Sequence, residues 1–166
     1  MKSLRDLCSS REMHFVNTGV SVYEAVCRMA ENNVGAVPVL DEKGKLKGIF
    51  TERDLMIRCA AKKLDMEKTK IEDVMTRGVI LMEAHDSYED CLKILQQENI
   101  RHMPVREGEK LIGMVSMRDL MQEDMEEKKQ IILRTDHLQA FYILEMQGTQ
   151  KIVKAVNEVT LQVYEN

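Results

Sequence analysis

An eight-residue pattern occurs twice in this chain, as Gly48-Ile49-Phe50-Thr51-Glu52-Arg53-Asp54-Leu55 and as Gly113-Met114-Val115-Ser116-Met117-Arg118-Asp119-Leu120. Both copies read glycine, two apolar residues, a hydroxyl residue, a variable residue, then Arg-Asp-Leu. The pattern describes a strand running into the first turn of a helix, with Thr51 or Ser116 at the N-cap. Such a junction gathers a hydroxyl, a guanidinium, a carboxylate and unpaired backbone N–H groups around one point. The N–H groups suit a phosphate. The carboxylate, which only accepts hydrogen bonds, suits the two hydroxyls of a ribose. One copy alone reads equally well as a capped helix with ordinary surface charges. Two copies with the same Arg and Asp, which a cap does not require, favour a site.

Little else in the chain offers chemistry. Cys8, Cys27, Cys59 and Cys91 lie far apart, without a CxxC or a Cys–His pair at ligand spacing. They read as small hydrophobes in a reducing compartment. The four His residues are scattered, so no metal site is expected. No nucleophile–base pair stands out, and the chain is expected not to be an enzyme. A net charge of −4 and a pI of about 5.7 leave no broad basic surface for duplex DNA or anionic lipid. With no Trp, three Phe and four Tyr, stacking platforms for single strands are scarce, so nucleic acid is an unlikely partner. No signal peptide or spanning helix is recognisable, and a soluble cytoplasmic protein is expected.

The elements that must position the two motifs form a repeat of about 65 residues. Leu4-Arg5-Asp6-Leu7-Cys8 aligns with Ile71-Glu72-Asp73-Val74-Met75, and Ser21-Val22-Tyr23-Glu24-Ala25 aligns with Ser87-Tyr88-Glu89-Asp90-Cys91. Asn33-Val34-Gly35-Ala36-Val37-Pro38-Val39 aligns with Asn99-Ile100-Arg101-His102-Met103-Pro104-Val105. Each copy opens with a short helix or turn (4–9; 71–76) and a brief strand (14–16; 79–82). An amphipathic helix follows, begun by the capping box Ser21…Glu24 or Ser87…Asp90. Its apolar face is Val22, Ala25, Val26, Met29 and Ala30, or Tyr88, Cys91, Leu92 and Leu95. Two strands come next, 36–40 with 46–51 and 102–106 with 111–116, the first pair joined by the polar turn Asp41-Glu42-Lys43-Gly44. Pro38 and Pro104 cannot donate to a ladder and mark an early or edge position. The motif helix closes each repeat.

A β-α-β-β-α unit of this size cannot bury both faces of its sheet, and pairing two of them is the natural remedy. The predicted class is α+β, with domains at 1–62 and 71–122, a charged linker at 63–70 and a helical extension over 123–166. That extension reads as a long helix from Met117 to about Met146, with Leu138, Phe141, Tyr142 and Glu145 on one stripe. Gly148-Thr149 is a plausible stop, and residues 150–166 suit either a helix or a strand. Of the thirteen Met residues, Met29, Met56, Met75, Met103 and Met121 sit at positions that read as core or cleft lining.

Taken together, two copies of Pro-Val…Gly-x-x-(Thr/Ser)-x-x-Asp, each preceded by a capped helix, resemble a tandem pair of cystathionine-β-synthase-type (CBS) domains, often called a Bateman module. The resemblance covers about residues 1–122. It implies two pseudo-symmetric units packed sheet to sheet, with clefts for adenosine-containing ligands such as AMP, ADP, ATP or S-adenosylmethionine. It also implies regulation of a fused or partner protein without catalysis, and a homodimer is expected. Carried over residue by residue, one cleft joins Thr51, Arg53 and Asp54 to Thr76, Ile80, His102, Met103 and Pro104. Asp54 would hold the ribose, Thr51 and Arg53 the phosphate, and Met103 and Pro104 would wall the adenine. The other cleft joins Ser116, Arg118 and Asp119 to Ser9, His14, Ala36, Val37 and Pro38. Two residues before the proline, where the family often has a cation, stand Ala36 and His102. The Thr51/Asp54 cleft is therefore expected to be the better phosphate site, with AMP the favoured ligand and Glu52 opposing a triphosphate. The alternative is a dimerisation module with empty clefts whose C-terminal helix docks another protein.

Overall fold

A computed structural model of the chain describes residues 3–9 and 12–135. The chain divides into two compact units, Met1–Met121 and Gln122–Asn166. The first holds two three-stranded sheets of identical build. One runs β1 (Val16–Asn17), β2 (Ala36–Leu40), β3 (Leu46–Thr51), parallel and then antiparallel. The other runs β4 (Met82–Glu83), β5 (His102–Glu107), β6 (Lys110–Ser116) in the same sense. The parallel pairs are bridged by α2 (Val22–Glu31) and α5 (Tyr88–Gln97). The architecture is the α+β pairing of two β-α-β-β-α units.

Both crossover helices begin where their hydroxyl caps lie. Ser21 Oγ accepts the Glu24 N–H at 3.1 Å while the Glu24 carboxylate accepts the Ser21 N–H at 2.9 Å. Ser87 Oγ accepts the Asp90 N–H at 3.1 Å. The charged linker contributes here too. Val22 N–H donates to Thr69 O and Tyr23 N–H to Met66 O, both at 2.9 Å, which satisfies donors that a helix start leaves unpaired.

The first strand of each repeat begins later than the sequence predicts, at Val16 and Met82. The register explains this. Val16 pairs with Val39 and Met82 with Val105, so one step upstream the partner would be Pro38 or Pro104, which has no N–H to give. The prolines are not on edge strands. Each is the third residue of a central strand, tolerated because the parallel neighbour stops short of it.

The two cores are built by exchange. Val16, Val37, Val39 and Phe50 of the first sheet and Val22, Ala25 and Met29 of α2 pack with Ile71, Val74 and Met75, which open the second repeat. Reciprocally, Leu4, Leu7 and Cys8 of α1 (Leu4–Ser9) pack with Met103, Val105 and Val115 of the second sheet and with Tyr88, Cys91 and Leu95 of α5. Backbone bonds fix each exchanged segment. Ile49 and Thr76 trade N–H and carbonyl at 3.0 and 2.8 Å, and Leu4 and Arg5 donate to Asp86 O and Ala84 O at 3.0 and 2.8 Å. An Arg5–Glu107 ion pair adds to the second contact.

Beyond β3 the chain enters α3 (Glu52–Asp54) and continues as a π-helical stretch, Leu55–Ala60. Beyond β6, residues 117–121 are helical, and so are residues 122–135 of the second unit. The stripe at Leu138, Phe141, Tyr142 and Glu145, the stop at Gly148-Thr149 and the segment 150–166 lie outside the described residues. No helix among the described residues is long and apolar enough to cross a membrane. Met29, Met75 and Met103 are buried as expected, whereas Met56 and Met121 are 61% and 52% exposed and belong to no core.

The exchange depends on two glycines. A Cβ on Gly48 would lie 2.6 Å from both Met75 Sδ and Thr76 O, and one on Gly113 would lie 2.7 Å from Cys8 Sγ. The thioether can move aside, but the Thr76 carbonyl is held by its bond to Ile49. Gly48→Ala should therefore destabilise the chain by about 1–3 kcal/mol through overpacking. Urea unfolding measures this as a lower midpoint, and an unchanged midpoint would show that the sheet face is slack at this contact.

Candidate ligand-binding cleft

Both repeated motifs fold as strand-to-helix junctions, and in both the aspartate first serves the backbone. Thr51 Oγ1 accepts the Asp54 N–H at 3.2 Å, and Asp54 Oδ2 accepts the Thr51 N–H and hydroxyl at 3.0 and 2.8 Å. In the second copy Ser116 Oγ accepts the Asp119 N–H at 3.3 Å, and Asp119 Oδ2 accepts the Ser116 N–H and hydroxyl at 2.8 and 2.7 Å. The aspartate thus completes a reciprocal capping box. The signal was present in the spacing, since Thr-x-x-Asp is the box with a shorter acid.

Around these identical caps the surroundings differ. Asp54 is 7% exposed. Its second oxygen accepts the Thr76 hydroxyl at 3.2 Å and lies 3.3 Å from Arg58 Nε. Asp119 is only half-buried and lines a cavity of about 670 Å³, well within the range of small-molecule sites. From the first repeat the cavity takes Val26, Met29 and Ala30 of α2, then Val34, Gly35 and Ala36 leading into β2, then Glu52 and Leu55. The second repeat contributes Arg101, His102, Met114, Ser116, Met117, Arg118 and Asp119, and Glu12 stands at the wall. Apolar side chains, two guanidiniums and three carboxylates therefore face one space.

The residues named from sequence are distributed unevenly. Thr51, Asp54 and Thr76 come together through hydrogen bonds, but not with His102, which lines the Asp119 cavity. The cause is register, because β5 pairs His102 with Ser116 on β6. Ala36, His102, Ser116, Arg118 and Asp119 line the cavity. Val37, Pro38, Met103 and Pro104 are buried within the central strands. Arg53 and Ile80 are exposed, His14 is half-buried, and Ser9 is exposed with its hydroxyl donating to Asp6 O at 3.0 Å. Met29 lines the cavity, as its position allowed, whereas sequence reasoning passed over Glu12, Val26, Ala30, Leu55, Arg101 and Met114 as cleft residues. On α2 the helical period that marks a core face also marks a cavity wall, so no separate signal existed there.

The electrostatics of the cavity turn on His102. Burial, and then the neighbouring Arg101 charge, push its pKa below the ordinary histidine value of 6.5, against weaker opposing pulls from Glu52 and Asp119. Near neutral pH the imidazole is uncharged, so it is a hydrogen-bonding group rather than a cation for phosphate.

A CBS-domain profile matches residues 4–60 and 71–126, and the chain belongs to the CBS-domain family as a tandem pair. It is 37% identical over 122 residues to the uncharacterised Bacillus subtilis (strain 168) protein YlbB, covering 72% of this chain and 80% of that one. A CBS-domain-containing protein from Agrobacterium tumefaciens superposes with a TM-score of 0.69 at 29% identity, over 74% of this chain and 99% of that one. The CBS domain pair of protein MJ0100, solved in complex with 5′-methylthioadenosine and S-adenosyl-L-methionine, superposes with a TM-score of 0.63 at 25% identity, over 76% of this chain and 98% of that one.

The His102 shift has a sign that can be checked. Its folded pKa lies below the unfolded value, so the contribution to stability is complete above about pH 6.5 and is lost as the pH falls through the lowered folded pKa. In His102→Gln the loss of stability on acidification below pH 6.5 should be shallower than in the wild type. Denaturant unfolding at stepped pH measures it, and identical pH profiles would contradict the assignment.

Proposed function

We propose that the Ser116–Asp119 cleft binds an adenosine-containing ligand and that the chain is a non-catalytic cytoplasmic sensor passing its occupancy to a partner protein. The observation that carries this reading is a carboxylate, Asp119, lining a cavity of about 670 Å³ between apolar walls and two arginines. In this reading Asp119 accepts the ribose hydroxyls, Val26, Met29 and Met114 bracket the base, and Arg101 and Arg118 meet a phosphate. The partnership of base, diol and anion is what each group is suited to by its donors, acceptors and apolar surface. Glu12, Glu52 and a neutral His102 set a limit on phosphate charge. AMP is accordingly favoured over ATP, and a nucleoside carrying a cationic sulfonium is admitted. The complex of MJ0100 with two adenosine compounds supports the ligand class.

Signalling requires that the ligand prefer one arrangement of the two repeats. The cleft takes walls from both, so a bound nucleoside would tighten their packing. A homodimer is the second part of the proposal. Met56 and Met121 occupy matching positions in the two repeats and both are exposed, with Ile57 beside the first at 52%. Size-exclusion chromatography with light scattering should show a dimer that Met56→Glu/Ile57→Glu converts to monomer. A wild-type monomer at all concentrations would remove that part.

Calorimetry tests the ligand. AMP should bind with micromolar affinity and ATP more weakly. Asp119→Ala should lose tenfold to a hundredfold, since a hydrogen bond to a charged group contributes about 1.5–3 kcal/mol. No heat with AMP, ATP or S-adenosylmethionine, or AMP binding unaffected by Asp119→Ala, would remove the reading.

A further inference from the structure

We propose that the Ser116–Asp119 cleft is proton-linked: His102 takes up a proton when an anionic adenosine ligand enters, so such a ligand is held more tightly as the pH falls. This linkage rests on the adenosine reading of the cleft and adds to it a regulation by pH. The geometry begins with register. β5 pairs His102 with Ser116 on β6, which brings a half-buried imidazole to the wall of the same cavity as the second motif.

Charged groups line that cavity from every side. Arg101 precedes His102 at the start of β5, and Arg118 and Asp119 come from the helix after β6. Asp119 also accepts the Ser116 N–H and hydroxyl. Glu52 enters from the start of α3, with its carboxylate folded over Gly35, where a Cβ would lie 3.1 Å from Oε2. Glu12 reaches the wall from the segment before β1. Asp54, which accepts the hydroxyl of Thr76 beyond α4 (Ile71–Val74), is not among the lining residues.

In the free protein two effects keep the proton off His102, burial first and the Arg101 charge second, and Glu52 and Asp119 oppose them more weakly. An anion seated between Arg101 and Arg118 reverses the second effect. It neutralises the cation that repels the imidazolium and adds negative charge in the same cavity. The protonated ring also has two N–H donors for the anion, where the neutral ring has one. His102 therefore titrates at higher pH with the anion bound than without it. By linkage, the gain in affinity is complete below the free-state midpoint and absent above the bound-state one. Adenosine, which is neutral, brings no charge and carries no such linkage.

Adenosine 5′-sulfate is the probe, because its single negative charge is fixed, whereas the phosphate of AMP itself gains a proton near about pH 6. Calorimetry at about pH 7.5 and about pH 6 should show the sulfate bound about threefold to fivefold more tightly at the lower pH, and adenosine changed by less than about 1.5-fold. His102→Gln should bind the sulfate with the same affinity at both pH values. In the wild type, the His102 imidazole resonance should titrate at higher pH with the sulfate bound than in the free protein, a readout that needs no variant. Three results would each overturn the linkage and leave the adenosine reading in place: equal sulfate affinity at both pH values, the same gain in His102→Gln, or an imidazole midpoint unmoved by the sulfate. Absence of heat with adenosine, the sulfate and AMP alike would remove the adenosine reading itself, and the linkage with it.

Discussion

The chain's first unit depends on an exchange of short segments between its two repeats. Each three-stranded sheet is too small to cover its own face. The cover comes from the segment that begins the other repeat, Ile71, Val74 and Met75 on the first sheet and Leu4, Leu7 and Cys8 on the second. Gly48 and Gly113 make the approach possible, because a methyl group at either place would intrude on the incoming segment. Neither core is complete without residues from the other half, so the two repeats share their stability. The cleft follows from this, since its walls come from both repeats.

Within that shared frame, duplication has left the two motifs alike in sequence and different in surroundings. Both place an aspartate in a reciprocal cap. What separates them is the next layer of side chains. Arg58 and Thr76 enclose Asp54, while Asp119 opens on a space lined by Val26, Met114 and two arginines.

Much of the fold was legible in the sequence, because repetition doubles every local signal. Ser21 with Glu24 and Ser87 with Asp90 marked helix starts that the structure keeps, and the strands after them lie within a residue of expectation. The exchange of segments was not legible, since the apolar pattern of Leu4 and Ile71 states that they are buried but not against which sheet. The site was only partly legible for the same reason. The motif named the aspartates and hydroxyls, yet the choice between enclosed and open depends on tertiary neighbours. His102 illustrates this, being drawn to the Asp119 cavity by its register with Ser116. Burial then denies it the charge that an exposed histidine would carry more readily.

The central claim, that the Ser116–Asp119 cleft meets the ligand, is tested most directly by following backbone amide resonances as AMP is added. The account predicts that the perturbed amides cluster at Gly35, Ala36, Arg101, His102, Ser116 and Asp119, with Thr51, Asp54 and Thr76 unmoved. Perturbations centred on Thr51, Asp54 and Thr76 would contradict it.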